Sequence, residues 1–125
     1  MSQVEGERLV LQGDVENEII RISALLETAT GQLATAAEDA ANAEADYRVK
    51  YAQAFYSPMR FRPIDADTKL TEKVREALAT DICAQELRSY KVASARSRAL
   101  EEKCRQLREQ LGALRTLSAN VRVQT

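Results

Sequence analysis

The sixteen residues from Tyr47 to Arg62, YRVKYAQAFYSPMRFR, hold most of the side chains in this chain that could do chemistry. Five of its six aromatic residues lie here (Tyr47, Tyr51, Phe55, Tyr56 and Phe61), with four bases (Arg48, Lys50, Arg60 and Arg62) and no acid. Aromatic faces stack on nucleobases at ~1–3 kcal/mol each, and cations beside them follow the phosphates. Arg48, Tyr51 and Phe55 stand at i, i+3 and i+7, one stripe of a helix. Lys50 falls where the surrounding spacing asks for an apolar residue, and Arg60 and Arg62 flank Phe61. The candidate nucleic-acid-binding set is therefore Arg48, Lys50, Tyr51, Phe55, Arg60 and Arg62. The same stretch also suits the packed elbow of a helical hairpin, with Tyr47, Tyr51 and Phe55 continuing the core. The two readings are compatible.

Other chemistry has little to stand on. There is no histidine, no glycine-rich phosphate loop and no cysteine cluster with metal-ligand spacing. Asp65-Ala66-Asp67 begins like a calcium loop, but Leu70 stands where the turn glycine would be needed. Serine and threonine are plentiful and have no base to activate them. The expectation is a protein that is not an enzyme, with no catalytic residue, cofactor or metal. Cys83 and Cys104, 21 residues apart, would be separated by roughly 31 Å on one helix and cannot bridge within it. They read as free thiols.

The elements that must position this stretch are helical. Only six of 125 residues are Gly or Pro, and Ala, Leu, Glu, Arg and Gln dominate, the composition of long helices and coiled coils. With no Trp and few other large aromatics the core is thin, which favours self-association. Charge is segregated: residues 1–46 carry ten acids and two bases, residues 91–125 eight bases and three acids. The first 25 residues lack the basic and apolar pattern of a targeting signal, and no apolar run is long enough for a membrane span, so a soluble cytoplasmic protein is expected.

Val15, Ile19, Ile22, Leu26, Ala29, Leu33, Ala36, Ala40, Ala43, Tyr47 and Ala54 follow steps of four and three with one gap at Lys50, a heptad seam. It predicts a first helix over 14–56 after an arm, 1–13, whose apolar patch is Leu9-Val10-Leu11. Pro58 and Pro63 break the pattern, giving a connector over 57–68 with Asp65, Asp67 and Thr68 as candidate caps. A second helix over 69–122 has the seam Leu100, Cys104, Leu107, Leu111, Leu114, Ser118 and Val121, with a register shift expected near Gln85 to Tyr90. Two such helices form an all-α, coiled-coil-like antiparallel hairpin within one domain. Its alanine-rich stretch, Ala29 to Ala45, would face residues 80–96, where Ile82, Cys83, Leu87, Tyr90 and Val92 supply bulk. Its acidic arm would lie beside the basic one, whose bases pair with it and, at helical spacings, with Glu101, Glu102 and Glu109.

Lys50 to Ser57, KYAQAFYS, resembles the basic-aromatic segment of the UvsY-type phage recombination mediators: a lysine, a short spacer, two adjacent aromatics and a serine. The order of helix, connector and long helix is similar too. The resemblance implies a ring-like homo-oligomer in the host cytoplasm that binds single-stranded DNA through this segment. It also implies loading of a RecA-like recombinase onto strands coated by a single-strand binding protein. Lys50 would then be the phosphate-contacting lysine, while the family's second basic position is Ala52 here. The alternative is a small coiled-coil adaptor or inhibitor of a host protein, its aromatic tip docked on a protein surface.

Overall fold

The structure, a computed structural model, describes residues 2–123, with side chains from residue 11 onward. The described residues are all-α: α1 (Ser2–Tyr56), a single 3-10 turn (Pro58–Arg60), α2 (Glu72–Ile82) and α3 (Ala84–Val123). The helix class follows the sequence, but three boundaries move. No separate arm precedes residue 14, since α1 runs through Gly13 without a break. The side chains of Leu9 and Val10, two of the three residues of the expected apolar patch, lie outside the described residues, as does Met1. The connector is longer than 57–68, because none of the three candidate caps starts the next helix. Asp65 instead organises a turn, its carboxylate accepting from the Asp67 N–H and its carbonyl from the Thr68 N–H. Thr71 is the N-cap: its backbone is extended and its hydroxyl accepts from the Val74 N–H at 3.3 Å.

The expected second helix is also interrupted, at Cys83, which has φ −96° and ψ 13°. Thr80, Asp81 and Ile82 precede it, three weak helix formers in a row. The hydrogen-bond ladder still crosses the break, from the Cys83 N–H to the Ala79 carbonyl and from the Leu87 N–H to the Cys83 carbonyl, both 2.9 Å.

The chain divides into two compact units. Unit 1, Met1–Ala34 with Arg98–Thr125, is an antiparallel pair of helix segments. Its core comprises Ile22, Ala29, Cys104, Leu107 and Leu111, lined by Ile19, Leu26, Leu33 and Leu114. The Arg122 guanidinium reaches Glu16 at 3.5 Å and marks the register of this pair.

Unit 2, Thr35–Ser97, is a helical hairpin closed by the connector. Its register is set by Tyr47 stacked on Tyr90 and by the Lys50 ammonium on Glu86. The innermost residues are small: Ala54, Ala79 and Cys83 are fully buried, with Tyr47, Tyr51, Phe55 and Ile82 packed around them.

The expected register shift near Gln85 to Tyr90 does not occur. Ala79, Cys83, Glu86, Tyr90, Ala93 and Ser97 continue steps of four and three, all buried or half-buried. Glu86 occupies the seam, which a search for apolar residues alone passes over. Of the residues expected to fill the alanine-rich stretch, Cys83 is buried and Ile82, Leu87 and Tyr90 are half-buried, but Val92 does not pack. Val92 is 64% exposed, and an open groove of about 400 Å³ lies among Ala36, Asp39, Arg88, Ser89, Val92, Ala93 and Arg96. Among the described residues no helix is long and apolar enough to cross a membrane.

Small residues at the seam predict a sharp size limit. Ala54→Leu should lower stability by ~1–3 kcal/mol through overpacking, whereas Leu at exposed Ala45 should be near neutral, as read by urea unfolding. Both cysteines are fully buried, and burial, followed by the nearby Glu86 charge, pushes the Cys83 thiol above its ordinary pKa. A thiol reagent at neutral pH should therefore modify neither cysteine until the chain unfolds.

Candidate nucleic-acid interface

The candidate residues sit where α1 ends. Pro58 lacks an N–H and stops α1, and the chain turns tightly: the Arg60 N–H donates to the Ser57 carbonyl and the Phe61 N–H to the Pro58 carbonyl, both 3.1 Å. The last carbonyls of α1 would be left without helical donors. Arg75 of α2 supplies one, its guanidinium donating to the carbonyls of Phe55 at 2.9 Å and Tyr56 at 3.2 Å. A cation at a helix C-terminus also complements the helix dipole. Arg75 was absent from the candidate set because nothing in its own neighbourhood marks it as a cap for a helix 19 residues earlier.

Five rings form a continuous run across the end of unit 2. Tyr90 stacks on Tyr47 with centroids 6.1 Å apart, Tyr47 meets Tyr51 at 5.9 Å, Tyr51 meets Phe55 at 6.4 Å, and Phe55 meets Tyr56 edge-on at 5.0 Å. Tyr51 and Phe55 are half-buried and pack on the small core, so the elbow reading holds for them. Tyr56 is different: it is 76% exposed at the outer end of the run. Met59 is 68% exposed, and Phe61 is exposed beside it in sequence on the connector with Arg60 between them.

The four bases divide by partner. Lys50 is half-buried and donates to Glu86 Oε1 at 2.5 Å. Its Nζ also lies 5.8 Å from the centre of the Phe61 ring, within reach of a cation–π contact. Arg62 pairs with Asp81 of α2 at 2.6 Å. Arg48 pairs with Glu44 one turn back on α1 at 2.7 Å, and its side chain stays 74% exposed. Arg60 is exposed, with no ion pair to any carboxylate among the described residues. The structure thus brings Lys50, Tyr51 and Phe55 together inside the fold and leaves Arg48 and Arg60 at the surface.

Glu86, Asp81 and Arg75 are the residues that sequence reasoning missed, whereas Tyr56 and Phe61 belong to the aromatic stretch but stand outside the candidate set. For Glu86 a signal existed: two charged residues of opposite sign at seam positions of two antiparallel helices are far cheaper as a pair than alone. The Lys50 hydrogen bond holds the Glu86 carboxyl below the usual carboxylate range, although burial pushes the other way. Its second oxygen, Oε2, is buried without a hydrogen-bond partner.

A shallow groove of about 330 Å³ is lined by Tyr51, Ala52, Phe55, Tyr56 and Glu76, which places one carboxylate beside the exposed ring. In unit 1, among the described residues, the expected pairing of the basic arm with the acidic one is confined to the Glu16–Arg122 pair. Arg105 is held, as the helical spacing predicts, by Glu102 and, at 2.5 Å, by Glu109, and no ion pair engages Arg98, Lys103, Arg108 or Arg115 among the described residues.

Compared with protein-family models, curated proteins and solved structures, the chain matches none. What defines it is its own architecture: an all-α antiparallel pairing whose connector end presents two exposed rings, a thioether and two surface arginines.

The seam pair yields a coupled prediction. Lys50→Met leaves the Glu86 carboxylate unpaired in the seam and should lower stability by ~1–3 kcal/mol. Lys50→Met with Glu86→Leu should recover most of that loss in a double-mutant cycle read by urea unfolding. The folded pKa of Glu86 is depressed, so the pair's contribution is present above the unfolded carboxylate pKa of ~4.3 and is lost as pH falls through the lower folded value. Glu86→Gln should therefore flatten the acid side of the stability profile.

Proposed function

We propose that this is a non-enzymatic accessory protein that binds single-stranded DNA at the connector end of unit 2. The observation that carries the reading is the exposure of Tyr56 and Phe61 with Arg60 in the same turn, none of them needed to fill the core. Bases stack on the two rings at ~1–3 kcal/mol each, and Arg60 and Arg48 meet the phosphates. The Arg48–Glu44 pair is exposed, and such pairs are worth only ~0.2–1 kcal/mol, so a phosphate can displace it. Tyr51, Phe55 and Arg62 support the site by fixing the end of α1 and the connector. No bond is made or broken; the action is capture and hand-over.

The resemblance of KYAQAFYS to the mediator segment supports a role in phage recombination or replication within the host cytoplasm. There the protein would help a RecA-like recombinase onto strands coated by a single-strand binding protein. Self-association belongs to the same proposal and draws support from Leu11, Ile20, Leu25 and Leu117, large apolar residues that unit 1 leaves exposed. A second reading, a protein-docking adaptor, is favoured by Glu76 in the aromatic groove and by exposed Met59. A carboxylate there repels phosphates and suits a basic protein surface.

Fluorescence anisotropy with a labelled oligothymidylate should show saturable binding that weakens with salt. The log–log slope should be about −0.7 per phosphate contacted, and duplex of equal length should bind less tightly. Tyr56→Ala with Arg60→Ala should weaken binding about tenfold or more while leaving the helical circular dichroism and unfolding midpoint unchanged. Absence of binding at low salt sinks the DNA reading and favours the adaptor.

A further inference from the structure

Lys50 and Glu86 meet at the seam in a way that leaves the carboxylate half-satisfied: Oε1 accepts from the ammonium, whereas Oε2 is buried with no partner. A buried acceptor without a donor is destabilising, so this pair is weaker than its short contact suggests. Neither side chain is locked away. The side chains of Lys50 and Glu86 retain 32% and 26% of their exposure. A lysine stem is long enough to carry its ammonium from a half-buried position to the surface, and Oε2 would gain water if Glu86 turned outward. The Phe61 ring, which lies 5.8 Å from the Lys50 ammonium, belongs to the proposed DNA surface. The cation is therefore one ring away from the proposed path of a phosphate chain, and it is held there by a single carboxylate.

We propose that Glu86 is an autoinhibitory gate: it holds Lys50 in a closed position, and the phosphate backbone of bound single-stranded DNA displaces it. In the closed state the connector end offers Arg48 and Arg60 alone. In the open state Lys50 joins them beneath Phe61, Glu86 turns to solvent, and one more phosphate is engaged. The exchange replaces one anion by another at the ammonium, so no net charge is left unpaired in the seam. Binding is then weakened by the fraction of molecules that are closed, and removing the gate removes that weakening. This inference rests on the single-stranded DNA reading above and adds its regulation.

The test compares wild type, Glu86→Gln, Lys50→Met and Lys50→Met with Glu86→Gln, using labelled oligothymidylate over a salt series. Lys50→Met should lower the salt slope by about 0.7, the one phosphate that Lys50 meets once the gate opens, and Glu86→Gln should tighten binding about tenfold at an unchanged slope. In the Lys50→Met background Glu86→Gln should leave binding unchanged. NMR of the lysine Nζ signals of wild-type protein gives a readout that needs no substitution. The Lys50 signal should shift on addition of unlabelled oligothymidylate, while Lys69 and Lys73 stay put. Wild type that binds DNA, with an unmoved Lys50 signal or with Glu86→Gln at wild-type affinity, overturns the gate and leaves the DNA reading standing. A gain from Glu86→Gln that persists without Lys50 also overturns it, since general charge removal would then explain the effect. Wild type that binds no oligothymidylate overturns both.

Discussion

Close approach of two helices through alanine and cysteine is the constraint on which the end of unit 2 depends. Ala54, Ala79 and Cys83 are completely buried, and side chains this small let the backbones come together with little apolar area between them. Larger residues are displaced to the rim of the contact. Tyr47, Tyr51 and Phe55 wrap it as half-buried rings, and the run continues outward until Tyr56 emerges almost free of the fold. The aromatic surface is thus a by-product of a narrow seam: rings that cannot enter must line the edge.

The same narrowness explains how charges are distributed there. Lys50 and Glu86 take one layer of the seam as an ion pair, and Arg75 satisfies the two carbonyls where α1 stops. Arg62 ties the connector to α2 through Asp81. Each of these cations serves the architecture before it can serve a ligand. A basic tip counted from sequence alone is therefore more basic than the surface it presents: Lys50 and Arg62 are engaged within the fold, and Arg48 and Arg60 remain at the surface.

Much of the fold was legible because its signals are local or periodic. The seam from Val15 to Ala54, the stop at Pro58 and the seam from Leu100 to Val121 depend on spacing and on the missing N–H of proline, and all are found. The interruption at Cys83 depends on three weak helix formers competing with a strong surrounding pattern, a balance that packing decides. Glu86 was passed over because apolar periodicity is blind to a charged residue in an apolar row. Among the candidate residues, sequence shows that Lys50, Arg62 and Phe55 are near one another but not which of them face inward. That depends on contacts with Asp81, Glu86 and Cys83, 19 to 36 residues away along the chain. Arg75 illustrates the same limit, since its purpose lies on another helix.

The antiparallel register has a consequence for how such a chain can change length. In unit 2 Tyr47 stands against Tyr90 and Lys50 against Glu86; in unit 1 Glu16 stands near Arg122. Facing positions run in opposite directions, so a residue inserted in one strand slides every later pairing on that side and turns the seam residues outward by ~100°. Only whole heptads, added or removed on both strands at matching depth, keep the ammonium opposite its carboxylate. Evolution of this protein is therefore expected to be permissive at the connector and quantised along the helices: ready insertions between Pro63 and Leu70, and paired seven-residue steps elsewhere.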